Sequence, residues 1–221
     1  MTTDRRQSLG EVEAIALKAA RGAGFTWGLA EEAAFAARFL AELGVAVLPV
    51  LAQHLDRVRI QGDAGHAAVI TGRSWQSASP DPLCPIVAGA ALSDHFSLDE
   101  GPLAGPLTLH DLAAPCLILP FLAASADRND CAVRVQWPDC DLILVARHLI
   151  PLDGARALTS HRAALVKVST VPRLQADAAT IAGIGMDTAV LAALEVHVKR
   201  TYVPASDRSR RGAGALTATD E

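Results

Sequence analysis

The sequence predicts an α+β protein. Apolar residues at helical spacing crowd positions 8–56, period-two alternation takes over between 131 and 171, and a helical pattern returns at 186–200. Helices and strands segregated in this way build a sheet with helices gathered on one side or end, not an alternating parallel fold. With 221 residues, 51% of them hydrophobic and 20% charged, the chain fits one core. It reads as a single domain over 1–221, with a helical N-terminal part (8–56), a loop-rich connection (57–82), a mixed body (83–204) and a tail (205–221). The expected architecture is an N-terminal helical hairpin packed on a body with an antiparallel sheet, followed by a C-terminal helix and an ordered basic tail.

The first helix is written in "SLGEVEAIALKAARG" (8–22). Ser8 and Glu11 stand three apart, so each side chain can satisfy an orphan N–H of the first turn. Leu9, Val12, Ile15 and Ala19 form one apolar stripe, and Gly22 is the expected stop. From about Leu29, the residues Leu29, Ala33, Ala36, Leu40 and Leu43 recur at steps of four and three, and Gly44 ends that second helix. A third, shorter helix is expected from Pro49, whose missing N–H costs little in a first turn. Residues 57–82 lose periodicity and end in the polar run "SWQSASPDP", which reads as a loop or an internal boundary. "CAVRVQW" (131–137) and "DLILVAR" (141–147) alternate around Pro138–Asp139 and predict a hairpin; "AALVKVSTV" (163–171) predicts another strand. "MDTAVLAALEVHVKR" (186–200) predicts a helix capped by Asp187, with Leu191, Leu194 and Val198 on one side.

Charge is distributed unevenly. Five cations against one acid at positions 199–211 put that stretch at +4, so the remainder carries −8 of a formal net charge of −4. An acidic protein with one short basic cluster suits a single small anion better than a nucleic acid. The four cysteines, Cys84, Cys116, Cys131 and Cys140, form no CxxC pair and are too few for a disulfide scaffold, so reduced thiols and a cytoplasmic location are expected. Acids and arginines interrupt the N-terminus, which argues against a signal peptide. The apolar stretch 112–126 holds two prolines and falls short of the roughly 20 residues a membrane span needs.

Several segments invite a chemical reading. "RGAGFTWG" (21–28) carries glycines before a helix, but it follows a helix and its spacing is not GxGxxG, so a helix–helix connection explains it better. Cys84, Asp94, His95, His110, Asp111 and Cys116 are metal-competent types at intervals that match no zinc pattern, and no metal is assigned. No GxSxG elbow is present for a serine nucleophile. The remaining stretch, "RTYVPASDRSRRGAGA" (200–215), concentrates forked cations, hydroxyls and glycines that let backbone N–H groups approach an anion.

Three segments, "KAARGAGFTWGLAEEA" (18–33), "PIVAGAALSD" (85–94) and "RTYVPASDRSRRGAGA", together resemble the recurring blocks of an uncharacterised bacterial family, domain of unknown function 3726. The resemblance implies a small stand-alone protein and supplies neither catalytic residues nor a cofactor. It also implies that the end of the chain is a shared block, not a random tail. The expectation is therefore an anionic metabolite, a carboxylate or phosphate, bound where the C-terminal segment meets the helical hairpin. Arg21, Arg200 and Arg210 would hold it, Tyr202, Ser206 and Ser209 would orient it, and Gly212 and Gly214 would admit it. Asp94 or His95 would move a proton if a reaction occurs. The alternative is a non-catalytic accessory or assembly subunit that binds another protein or a second copy of itself, without nucleic acid or membrane.

Overall fold

Ser8 caps the first helix as its sequence demands. In the computed structural model, which describes residues 5–58, 67–153, 158–173, 183–186 and 188–202, the Glu11 carboxylate accepts from the Ser8 N–H at 2.8 Å and Ser8 Oγ accepts from the Glu11 N–H at 3.3 Å. Helix α1 (Leu9–Ala23) runs past Gly22 and ends at Gly24, whose φ of 108° is the left-handed cap that glycine adopts without strain. Helices α2 (Trp27–Glu42) and α3 (Val47–Arg57) follow, each beginning two residues earlier than its periodicity suggests. Gly44 turns the chain between them at φ 75°.

The connection read as a loop holds a hairpin. Strands β2 (Ala68–Thr71) and β3 (Ser74–Ser77) pair antiparallel around Gly72–Arg73, with Gly72 at φ 57°. Strands of only four residues, AVIT and SWQS, are too short for alternation to register as a pattern. Arg73 then anchors the turn, donating from one guanidinium nitrogen to the carbonyls of Gly101 at 3.1 Å and Gly105 at 2.9 Å.

Helix α4 (Pro85–His95) carries the crossover from β3 to the parallel strand β4 (Leu107–Ala113). A 3-10 turn (Pro115–Ile118) leads into α5 (Leu119–Arg128). The expected hairpin is present as β5 (Ala132–Trp137) and β6 (Cys140–Val145), turning with Asp139 at φ 62°. Strand β7 (His148–Asp153) extends it, and β8 (Arg162–Val171) inserts between β4 and β5. The seven strands run in the order β2-β3-β4-β8-β5-β6-β7, antiparallel except for the β3–β4 pair. A separate ribbon joins β1 (Arg5–Ser8) to β9 (Gly183–Met186). Helix α6 (Thr188–Lys199) closes the fold. Its expected cap, Asp187, lies outside the described residues, as does the basic tail beyond residue 202.

The architecture is thus α+β, as the segregation of patterns predicts. Val133, Val135, Leu142, Leu144, Val166 and Val168 present one buried face of the sheet, and α5 packs on β5 and β6. Gly89 of α4 makes the α4–α5 approach possible, since a Cβ there would lie 2.2 Å from the Phe121 ring. Helix α2 packs on both α4 and α5, while α1 packs on α2, α3 and α6. Eight of the buried positions on α1 and α2 between Ala16 and Ala37 are alanines: Ala16, Ala19, Ala20, Ala30, Ala33, Ala34, Ala36 and Ala37. Close helix packing through small side chains follows directly from that composition.

Candidate functional site

Four pieces of chain converge at one end of the sheet and leave a cavity of about 330 Å³ between them. Gln53, His54, Arg57 and Val58 come from the C-terminal half of α3 and its exit, Asp81, Pro82 and Cys84 from the approach to α4, and Ala113, Ala114, His161 and Arg162 from the end of β4 and the start of β8. Local sequence explains why they meet. Leu83 bridges Leu112 in parallel, donating to the Asp111 carbonyl at 2.8 Å and accepting from the Ala113 N–H at 3.1 Å. This fixes Cys84 at the N-cap of α4, with Pro85 at the first helical position.

On the wall of this cavity Cys84 Sγ stands 3.6 Å from His54 Nε2. Both side chains are deeply buried, at 3% and 6% exposure. Burial pushes the Cys84 thiol up to about 11, while the backbone amides of Val87 and Ile86 at the start of α4 oppose that shift. The resting sulfur is therefore a protonated thiol beside an imidazole. Arg162 also borders the cavity but is committed, its guanidinium forked onto the Asp111 carboxylate. Arg57, exposed at the end of α3, has no ion-pair partner among the described residues.

One residue of the same wall has a left-handed backbone. Ala114 adopts φ 37° and ψ 64° immediately before Pro115. A residue before proline prefers extended backbone, and a left-handed non-glycine residue costs on the order of 1–3 kcal/mol. The Ala114 N–H donates to the His161 carbonyl at 2.9 Å, so the strained residue ties the start of β8 to the cavity rim. Asp111, at φ 51°, is the second such residue and holds Arg162.

The residues expected from sequence are dispersed. Arg21, exposed at the end of α1, donates to the Phe25 carbonyl and lies 5.7 Å from the Trp27 ring centroid. Arg200 approaches His197 Nδ1 at 3.4 Å, and Tyr202 is 63% exposed. Ser206, Ser209, Arg210, Gly212 and Gly214 lie outside the described residues. The ends of α1 and α6 do come together, because Gly22 sits against the His197 carbonyl. His197, almost fully buried, in turn bonds Asp56, the residue before Arg57, at 2.8 Å.

Asp94 and His95 serve different surroundings. His95 Nδ1 bonds Glu100 at 2.6 Å and its ring meets Trp75 edge-on. Asp94 instead borders an open depression with Glu31, Glu32 and Arg128. There burial, then Asp94 and Glu31, raise the Glu32 carboxyl above its ordinary 4.5, with Arg128 opposing them. A carboxyl held high in the folded state binds its proton more tightly there, so its ionisation destabilises the fold as pH rises above 4.5. Glu32→Gln should therefore raise the melting temperature at pH 7, and the gain should vanish as the pH is lowered below about 4.5, measured by thermal denaturation across that range. His110 and Asp111 lie on β4, and Cys116 is buried in the following 3-10 turn with its thiol pushed up to about 12 by burial. Among the described residues no group of three or more His, Cys, Asp or Glu is placed to hold a metal ion. All four cysteines are free.

Comparison with known families adds one finding. The model of the family described as a protein of unknown function, DUF3726, matches residues 7–91. The match takes in α1 to α3, the β2–β3 hairpin and the first turns of α4, and so the first resembling segment and most of the second. His54, Arg57 and Cys84 fall within the DUF3726 stretch; His161, Arg162 and the segment 200–215 lie beyond it. No curated protein matches the chain. Among the described residues no helix is long and apolar enough to cross a membrane.

The Cys–His pair escaped the sequence reading because its members are thirty positions apart and share no local motif. The one local signal was Cys84 directly before Pro85, a cysteine placed where a helix begins. His54 looked like one more residue of an amphipathic helix.

Proposed function

We propose that the protein binds a small anionic metabolite, bearing a carboxylate or phosphate, in the cavity between α3 and the β4–β8 end of the sheet. The observation that carries this reading is a partly open space with more apolar than polar lining, bordered by Asp81 and by an arginine, Arg57, that has no ion-pair partner among the described residues. Ligand sites have this character: apolar walls with a few polar groups that fix orientation. Gln53 and His161 supply further polar groups at the same cavity. The basic C-terminal segment enters through α6, whose His197 is tied to α3 next to Arg57. Arg200 and Arg210 are thus proposed to supplement the anion's surroundings, not to form them.

Thermal-shift titration with a panel of carboxylates and phosphates tests the proposal. Stabilisation by at least one anion is expected, and Arg57→Ala should weaken that anion roughly 10- to 100-fold, as loss of a charge-assisted bond does. Arg210→Ala should have the smaller effect. The reverse order would move the anion to the C-terminal segment. An accessory or assembly subunit would show no anion-dependent shift and would form a complex larger than one chain in light scattering.

A further inference from the structure

Within that cavity, we propose that Cys84 is a nucleophile and His54 its general base, acting on an activated acyl group, an ester or thioester, whose acyl portion carries the anion. The inference rests on the anion-binding reading for its substrate class. It rests on separate geometry for its chemistry.

Four observations combine. Sulfur and imidazole face each other at 3.6 Å, within reach for proton transfer between a thiol and a base. Both border a partly open cavity of about 330 Å³, large enough for a small metabolite. Cys84 sits at the N-cap of the eleven-residue helix α4, where the first amides lack a partner within the helix, and the amides of Ile86 and Val87 bond the sulfur and favour its thiolate. Finally, the wall is completed by the strained Ala114, backbone of the kind that persists where surrounding structure holds a site in shape.

The step balances without any further reagent than water. His54 Nε2 takes the thiol proton of Cys84 as sulfur bonds the acyl carbon. The C–O or C–S bond to the leaving group then breaks, and His54 returns the proton to the departing oxygen or sulfur. Water, deprotonated by the same imidazole, cleaves the resulting thioester to a free carboxylic acid and restores the thiol. The sulfur lies in the cavity wall with little exposed surface, so reaction is confined to molecules that enter the cavity.

The test uses the full chain with two pairs of small probes, peptide mass spectrometry locating every adduct. An ordinary thiolate repels the carboxylate of iodoacetate and alkylates faster with neutral iodoacetamide. At Cys84 the order should invert, while half-buried Cys131 keeps the ordinary order in the same sample. Of 4-nitrophenyl acetate and 4-nitrophenyl hemisuccinate, the hemisuccinate should give a nitrophenolate burst and a succinyl adduct on Cys84. Arg57→Gln should lower both anion preferences roughly tenfold, and His54→Gln should slow the acyl transfer about 100-fold or more. No adduct at Cys84 of the unaltered protein, with anion-dependent stabilisation intact, overturns the nucleophile and leaves the binding site standing. Cys84 adducts without preference for the charged probes uphold the nucleophile and overturn its anionic substrate. Because the first comparison needs no variant, a misfolded His54→Gln protein does not spoil the test.

Discussion

Replacing Trp75 with alanine should be the most damaging single truncation in the sheet. The indole lies on β3 with no exposed surface, among the largest fully buried side chains of the protein. Its ring meets His95 of α4 edge-on at a centroid distance of 5.6 Å, so it joins the hairpin to the crossover helix. Deleting a buried aromatic removes its transfer free energy and leaves a cavity, together about 3–5 kcal/mol. In a chain of this size that corresponds to a fall in melting temperature on the order of 10 °C. Denaturant unfolding followed by fluorescence of Trp137 and Trp27 would measure it. Trp75→Phe separates packing from the polar atom: Nε1 finds no acceptor among the described residues, so phenylalanine keeps most of the ring contact and discards an unsatisfied donor. The phenylalanine variant should lose less than half as much stability. A smaller loss for alanine than for phenylalanine would show that the ring does not fill the core as described.

That same tryptophan marks where sequence reasoning stops. The helices are legible because α1 and α2 repeat their apolar residues over four turns and carry local punctuation, Ser8 with Glu11 and Gly44, although α1 runs past the expected stop at Gly22 to end at Gly24. The β5–β6 hairpin is legible because Val133, Val135 and Trp137 alternate with Arg134 and Gln136, and those polar residues meet Asp141 across the turn. Trp75, by contrast, is the single large apolar residue of a four-residue strand, preceded by a serine and followed by glutamine. Two faces cannot be distinguished on so short a repeat, and the strand exists because β4 lies beside it in parallel, a partner more than thirty positions away. The candidate site is harder still. His54, Cys84 and Arg162 belong to three elements, and only the bridge between Leu83 and Leu112 brings the second near the third. Composition pointed to the basic segment at 200–215 because charge is local and countable, whereas a cavity is made by chain reversals that no window of sequence contains.

A valine at position 22 should detach the C-terminal helix while leaving the sheet folded. Gly22 was the expected end of α1 but lies inside it, and a Cβ there would fall 1.7 Å from the His197 carbonyl oxygen and 2.4 Å from its carbon. Those are backbone atoms of α6, so no side-chain rotation relieves the clash; the helix must move as a body. Moving it exposes Leu194 and Val198 and breaks the bond from His197 to Asp56. Two buried aliphatic side chains at about 1.5–3 kcal/mol each, with a bond to a charged group, put the expected loss at several kcal/mol. Hydrogen exchange should rise across residues 188–199 and stay low in β4, β5 and β8, because α6 packs chiefly on α1 and α3. Gly10→Ala provides the control within the same helix: nothing lies within 4 Å of its added Cβ, so the change should be neutral or stabilise by up to about 1 kcal/mol through helix propensity. The outcome also bears on function. Asp56 adjoins Arg57, so releasing α6 frees the end of α3 that borders the cavity. Anion-dependent stabilisation should therefore weaken in Gly22→Val although no ligand-facing residue has been changed, and full retention of that stabilisation would separate the C-terminal helix from the site.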